Sequence, residues 1–235
     1  MTGSRRFQLY GRRKTKPLSS RRQWLVDTLL PRLRIELPPA GNLEPGGLFP
    51  EHPAEVWMEI GFGGGEHLLA VAADNPQTGF VAVEVFLNGI AKLLHGIDER
   101  SAGNIRIFDG DARQLLERLT PESVARLFIL YPDPWTKARH HRRRLVNPAL
   151  LAELFRVIKP GGELRIASDI ADYVRWTLVQ VRAHGGFLWC AERAADWRSR
   201  PAGWPATRYE DKAIAAGRRP TYLRFTRRAV LATPP

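Results

Sequence analysis

The chain has 235 residues, enough for one good-sized α/β core, and 44% hydrophobic residues with a mean hydropathy of -0.29 are typical of a globular protein. The 36 lysines and arginines outnumber 24 acidic residues, and a formal net charge of +12 indicates a polyanionic partner, either nucleic acid or a membrane surface. A single cysteine excludes an internal disulfide, six histidines show no metal-site spacing, and no apolar run approaches the ~18 residues of a membrane-spanning helix. We therefore expect a cytoplasmic protein without a bound metal.

The amino-terminal segment is strongly basic. Residues 1–23 contain eight arginines and lysines interleaved with Phe7 and Tyr10, and no acidic residue precedes Asp27. This pattern predicts an arm that contacts RNA phosphates and orders on contact. A solvated tail and an organelle transit peptide have the same composition and remain alternatives. A short helix is predicted over residues 20–33, and five prolines predict a linker over residues 38–53.

The rest of the chain is organised around a glycine-rich stretch from Glu59 to Glu66. An apolar run precedes it and a helical pattern follows, which predicts the first βα unit of a Rossmann-like doubly wound α/β sheet. The dinucleotide motif requires a third glycine where this chain has Glu66, and a carboxylate there would repel a pyrophosphate. S-adenosylmethionine carries a sulfonium and no phosphate, so we expect Gly61 and Gly63 to contact this cofactor.

Acidic residues follow the predicted strands. Glu84 ends the apolar run 80–83, and Asp111 comes after the run 105–108. A carboxylate after the second strand is placed to accept the ribose hydroxyls of a bound nucleotide. The alternative is a plain loop with solvated acids, but acids at three strand ends, including Glu59, favour the methyl donor.

A fourth strand, predicted over residues 127–131, leads into the sequence Pro-Asp-Pro-Trp at 132–135. Ligands of open parallel sheets bind beyond the carboxyl ends of the strands, so Asp133 is expected on the same rim as the other acids. Prolines fix the backbone on both sides of it, which is typical of a carboxylate presented to a flat base, although a rigid turn is the alternative. Seven of the eight residues 137–144 are cationic or titratable. We expect them to contact phosphates rather than only solvent.

The fifth strand, residues 164–167, brings Asp169 to this rim, where it can cap the next helix or bind substrate. Two last strands are predicted over residues 187–190 and 221–225. The long basic connection between them contains Thr-Arg-Tyr-Glu at 207–210. Connections of this length are usually functional or disordered.

These motifs together resemble the bacterial tRNA (guanine-N7-)-methyltransferases over roughly residues 55–226. The resemblance rests on the glycine-rich stretch, Glu84-Val85, Asp111-Ala112, the Pro-Asp-Pro-Trp and basic signature of 132–144, Ser168-Asp169 and the quartet at 207–210. It implies methylation of a guanine in the tRNA variable loop, at position 46 in tRNA numbering, with S-adenosylmethionine as the methyl donor. It also favours RNA binding by the basic arm. We expect residues 1–50 to form the arm and linker, residues 51–235 to form the methyltransferase domain, and the protein to be a monomer.

At the matching positions, the resemblance implies that the cofactor is bound by Glu59, Gly61, Gly63, Glu84, Asp111 and Ala112. It implies substrate binding by Lys137, Asp169, Thr207, Arg208, Tyr209 and Glu210. Asp133 would act at the reaction centre. Guanine N7 already has an in-plane lone pair, so we expect Asp133 to position the base and stabilise positive charge rather than to remove a proton.

Two alternatives remain at this point. An exocyclic-amino methyltransferase would carry an acid or amide followed by two prolines and an aromatic residue, whereas here Trp135 follows directly after Asp133-Pro134. A non-catalytic RNA-binding protein on a degenerate methyltransferase fold is the second alternative. Intact acids at four strand ends argue against it.

Overall fold

A seven-stranded sheet forms the centre of the structure, a computed structural model that describes residues 16–230. The strands are β1 (Glu55–Ile60), β2 (Thr78–Val83), β3 (Ile105–Phe108), β4 (Val124–Leu130), β5 (Ile158–Ser168), β6 (Phe187–Trp189) and β7 (Thr221–Arg227). Their order across the sheet is β3-β2-β1-β4-β5-β7-β6. Strands β1 to β5 run parallel, and β7 is antiparallel to both β5 and β6. The predicted Rossmann-like doubly wound sheet is thus confirmed, with its change of winding direction between β1 and β4.

Helices cover both faces of the sheet. Within the described residues they are α1 (Ser20–Thr28), α2 (Leu30–Leu33), α3 (Glu66–Asp74), α4 (Leu87–Arg100), α5 (Ala112–Arg118), α6 (Pro148–Val157), α7 (Ala171–His184), α8 (Ala195–Arg198) and α9 (Arg208–Ala215). The apolar residues of α5, α6 and α7 form one core layer, and those of α1 to α4 form the other. No helix in this part of the chain is both long and apolar enough to cross a membrane.

The first described helices pack on the sheet domain. The helix predicted over residues 20–33 is present as α1 and α2, and it buries Leu25 and Leu30 in the core layer beside α4. α4 begins at Leu87, one residue before the predicted start at Asn88. The side chain of Asn88 donates instead to the carbonyl of Lys16 at 2.9 Å. This bond ties the first described residue to the segment that follows β2.

Most of the predicted basic arm, residues 1–15, lies outside the described residues. The division of the chain at residue 50 stays a prediction. Within the described part, residues before this boundary contribute Ile35 and Phe49 to the core.

Local capping signals were only partly predictive. Asn147 caps α6 as its sequence predicts, since its side-chain oxygen accepts a hydrogen bond from the N–H of Leu150 at 3.0 Å. α7 begins at Ala171, and Asp169 does not cap it. The carboxylate of Asp169 instead accepts a hydrogen bond from Arg218 Nε at 2.5 Å.

Candidate active site

The carboxyl ends of the parallel strands place the predicted site residues at one edge of the sheet. Gly61 follows β1, Glu84 follows β2, Asp111 comes three residues after β3, and Asp133 comes three residues after β4. Burial raises the pKa of Glu84 above its usual value, and the nearby charge of Asp133 adds to this effect. The structure therefore brings these two acids, 49 residues apart in sequence, close enough to interact. Their functional roles stay predictions.

The glycine loop, residues 61–65, is shaped by a close approach to α4. The carbonyl oxygen of Gly63 lies where a Cβ on Gly89 would be only 2.1 Å away, so a larger residue at Gly89 would displace the loop. Gly63 itself has a φ of +58°, a conformation that favours glycine. A Cβ on Gly61 would meet nothing within 4 Å. This side of the loop is therefore open to a ligand.

Glu84 is fixed by backbone donors. Its carboxylate accepts the N–H of Gly63 at 2.9 Å, of Val85 at 2.8 Å and of Phe86 at 3.1 Å. A carboxylate has about four acceptor positions, so Glu84 retains capacity for a further donor. The contact with Gly63 also couples the acid after β2 to the loop after β1.

Other predicted cofactor residues are paired within the protein. Asp111 caps α5 by accepting the N–H of Arg113 at 3.0 Å, and it also accepts from the Nε atom of Arg113 at 2.9 Å. Ala112 follows it as the first residue of α5. Glu59 is 2% exposed, and its Oε2 atom lies 2.7 Å from Nδ1 of His67. Sequence reasoning missed His67, which buries the Glu59 carboxylate against α3 rather than leaving it exposed at the rim.

Asp133 differs from these acids. Within residues 16–230 it takes part in no hydrogen bond or ion pair, and its side chain is exposed. The loop that carries it is held by Arg144, whose Nε donates to the carbonyl of Pro134 at 3.0 Å and whose other end pairs with Asp172. Arg144 is only 1% exposed, and its guanidinium lies 5.1 Å from the ring of Trp176. The prediction that Arg144 contacts phosphate is therefore wrong, because it is a buried support of the Asp133 loop.

The remaining cations of this run lie at the surface. Lys137, Arg139 and Arg142 are exposed on a 3₁₀ helix at Ala138–Arg143. Partial desolvation and the surrounding arginines lower the pKa of His140. The group stands next to Trp135, whose ring lies 4.9 Å from the guanidinium of Arg143. These exposed positive charges are available to an anion.

The quartet at 207–210 packs on the glycine loop. The Nε atom of Arg208 lies 3.9 Å from Oε1 of Glu66. Burial of Glu66 opposes its ionisation, yet the hydrogen bond from Lys92 and the charge of Arg208 leave its pKa below the usual value. Tyr209 lies over Gly63, where an added Cβ would be 3.0 Å from Cε2 of the ring. The long connection between β6 and β7 therefore reaches back to the start of the site.

The other members of the quartet are held internally. Thr207 caps α9 by accepting the N–H of Glu210 at 3.1 Å. Glu210 is buried, and its carboxylate accepts the hydroxyl of Tyr222 at 2.7 Å and lies 3.4 Å from Nε of Arg200. Substrate contacts of both residues stay predictions.

Two further searches locate no competing centre at the rim. Among residues 16–230, no group of three or more histidines, cysteines or acids could hold a metal ion. A cavity of about 500 Å³ opens at the opposite edge of the sheet, beside Phe49, Pro76 and Arg106. None of the predicted site residues lines this cavity.

The doubly wound sheet, the open glycine loop after β1 and the acids after β2, β3 and β4 define a Rossmann-like methyltransferase. The chain matches, over residues 53–223, the family described as a putative methyltransferase. Two solved structures share the fold. An rRNA methylase from Streptococcus thermophilus aligns with a TM-score of 0.50 and 10% identity, covering 74% of this chain and 87% of that one. The 16S rRNA methyltransferase KamB aligns with a TM-score of 0.51 and 17% identity, covering 75% and 89%.

Similarity to curated relatives is much higher. The tRNA (guanine-N(7)-)-methyltransferase of Rhodospirillum rubrum is 52% identical over 230 residues, covering 97% of this chain and 90% of the relative. The enzyme of the same name from Agrobacterium fabrum is 49% identical over 234 residues, covering 97% and 100%. The chain therefore belongs to the tRNA (guanine-N7-)-methyltransferase family, as the sequence motifs predicted.

Proposed function

We propose that this protein transfers a methyl group from S-adenosylmethionine to N7 of guanine in the variable loop of tRNA, at position 46 in tRNA numbering. The observation that carries the proposal is the exposed Asp133 carboxylate, which has no partner within the described residues and stands beside Glu84 at the rim. The family relationship supports tRNA as substrate and guanine N7 as acceptor. We further propose that the enzyme acts in the cytoplasm.

The glycine loop and its neighbouring acids fit S-adenosylmethionine. Gly61 faces open space, and Glu66 stands where a phosphate-binding motif would have glycine, which suits a cationic ligand. Glu84 would accept the ribose hydroxyls, while Asp111 and Ala112 would bind the cofactor at the start of α5. Glu59 would act through the buried pair with His67, by holding α3 and the loop in place. When bound, the cofactor supplies an electrophilic methyl group on a positively charged sulfur.

The protein's part in the chemistry is positioning and electrostatics. Guanine N7 has a lone pair in the plane of the ring and needs no general base. As the methyl group is transferred, positive charge appears on the imidazole ring of guanine. Asp133 would hold an N–H edge of the base and stabilise this charge. Because Asp133 forms no internal ion pair, no such pair has to break first.

The tRNA would be held by the cations around this centre. Lys137 and the exposed arginines after it lie next to the Asp133 loop and would contact the phosphates that flank the target. Asp169, Arg208 and Tyr209 would bind nearer the base. The rate of association should benefit from the net charge of +12.

Asp133→Ala tests this assignment, with Asp74→Ala as a matched control at an exposed position of α3. Single-turnover methylation of tRNA should fall about a hundredfold in Asp133→Ala, the usual scale for one preorganised electrostatic group. Cofactor affinity and tRNA affinity should each change by less than about tenfold. The assay uses a labelled methyl donor followed by nucleoside analysis. A near-wild-type rate, or label on an exocyclic amino group, would refute the proposal.

A further inference from the structure

Two tyrosines stand side by side at the rim. Tyr131 directly follows β4 with a φ of +51°, a strained conformation for a residue other than glycine. Tyr209, in the first turn of α9, is 41% exposed. Their rings are within 19° of parallel, and their centroids are 6.5 Å apart. Two contact distances of ~3.5 Å sum to roughly 7 Å, so a small outward movement of Tyr209 would admit one flat ring between them.

This pair lies between the glycine loop and the proposed reaction centre. The outer end of the Tyr209 ring abuts Gly63, while Tyr131 is two residues before Asp133. Burial raises the pKa of Tyr131, and among the charges that add to this effect is that of Asp169. A base between the rings would therefore have the cofactor loop at one end and carboxylates near its polar edge.

We propose that the rings of Tyr131 and Tyr209 form the stacking slot for the target guanine. This inference rests on the proposed function of the same site. A tRNA base has to leave its own stack before its reactive atom can reach the rim, and aromatic walls replace the stacking that is lost. The faces of aromatic rings also attract cations. The slot would therefore favour the charge that develops on guanine during transfer more than it favours the neutral base.

The hydroxyl of Tyr131 provides a clean control. It is buried and has no hydrogen-bond partner within residues 16–230, although it lies near Tyr222 and Glu210. Stacking needs the ring and not this hydroxyl. Tyr131→Phe and Tyr209→Phe keep both walls, whereas Tyr131→Leu and Tyr209→Leu remove an aromatic face but keep apolar bulk. Trp189→Leu, at a partly exposed aromatic residue of the edge strand β6, controls for loss of an unrelated ring.

Single-turnover methylation at saturating tRNA and cofactor is the decisive measurement. We expect each leucine variant to be about tenfold to fiftyfold slower, and each phenylalanine variant to remain within about threefold of wild type. Trp189→Leu should match wild type, and cofactor affinity should change by less than about threefold in every variant. Thermal unfolding of each variant identifies any loss of folding. If Tyr131→Leu does not fold, the exposed Tyr209 still provides the test.

The outcomes separate the slot from the proposed function. If the leucine variants methylate at wild-type rates while Asp133→Ala remains slow, the slot is refuted and the function stands. Equal losses in the phenylalanine and leucine variants would assign the effect to the hydroxyls and overturn the stacking role. If the wild-type protein places no methyl group on guanine N7, the proposed function and the slot fail together.

Discussion

Asp172→Ala should destabilise the protein more than Arg144→Met does, although Asp172 is the more exposed partner. The side chain of Asp172 is 53% exposed, whereas that of Arg144 is 1% exposed. Removing Asp172 leaves the guanidinium buried with the Pro134 carbonyl and nearby rings, and a stranded buried charge costs about 3 to 5 kcal/mol. Arg144→Met removes the charge together with its desolvation cost. The remaining loss is the hydrogen bond to Pro134, about 1 to 3 kcal/mol.

Thermal and urea unfolding at neutral pH measure this difference. For a protein of this size, 1 kcal/mol corresponds to roughly 2 to 4 °C in Tm, so Asp172→Ala should lower Tm by roughly 6 to 12 °C. The double variant should resemble Arg144→Met alone, because the aspartate has no buried charge left to compensate. The surface pair Arg21 and Asp98 is the control, and breaking it should cost about 0 to 1 kcal/mol.

The pH dependence gives a second check. The hydrogen bond from Arg144 lowers the pKa of Asp172 below the usual 3.8. A lowered pKa contributes stability above the pKa of the unfolded chain, and this contribution is lost as pH falls through the folded value. The gap between wild type and Asp172→Ala should therefore persist at neutral pH and close only below 3.8. A smaller loss in Asp172→Ala than in Arg144→Met would refute a buried, dependent charge.

Two further predictions concern the ligands. Glu84→Gln should weaken cofactor binding by about a hundredfold in calorimetry, and the wild-type affinity should start to fall at a pH above the usual glutamate value of 4.5, because the raised pKa of Glu84 lets it protonate earlier. Affinity that stays constant down to 4.5 would contradict this role. Deleting residues 1–15, which contain five arginines and lysines, should flatten the salt dependence of tRNA binding by about 0.7 to 0.9 in log-log slope per phosphate contact, and leave cofactor affinity unchanged. An unchanged slope would mean that the arm contacts no phosphate.

The sheet and its rim were predictable because buried parallel strands are continuous apolar runs and the chemistry follows their carboxyl ends. The main error in a strand boundary was at β5, which begins at Ile158 rather than at residue 164. Pro160 and Gly161 predict a break at this point. The structure instead keeps them in the strand, with Gly161 at a φ of +76° that other residues rarely adopt.

The partners of the site residues were not predictable in the same way. Arg144 is one of several cations in its run, and only the position of α7 makes it the buried one. Asp169 and Arg218 are separated by 49 residues and meet only when α9 packs against the rim. Such pairs depend on tertiary packing, which hydrophobic periodicity and capping signals do not encode.

This distribution of partners bears on which acid can respond to substrate. A carboxylate that is already satisfied mainly fixes geometry, because a new bond would replace an old one. The acids held in this way are Glu59 by His67, Asp111 by Arg113, Asp169 by Arg218 and Glu210 by Tyr222. Asp133 has no such partner within the described residues and stays hydrated until a base covers it. Covering it excludes water and strengthens its attraction for a nascent cation, so its effect should be largest in the transition state.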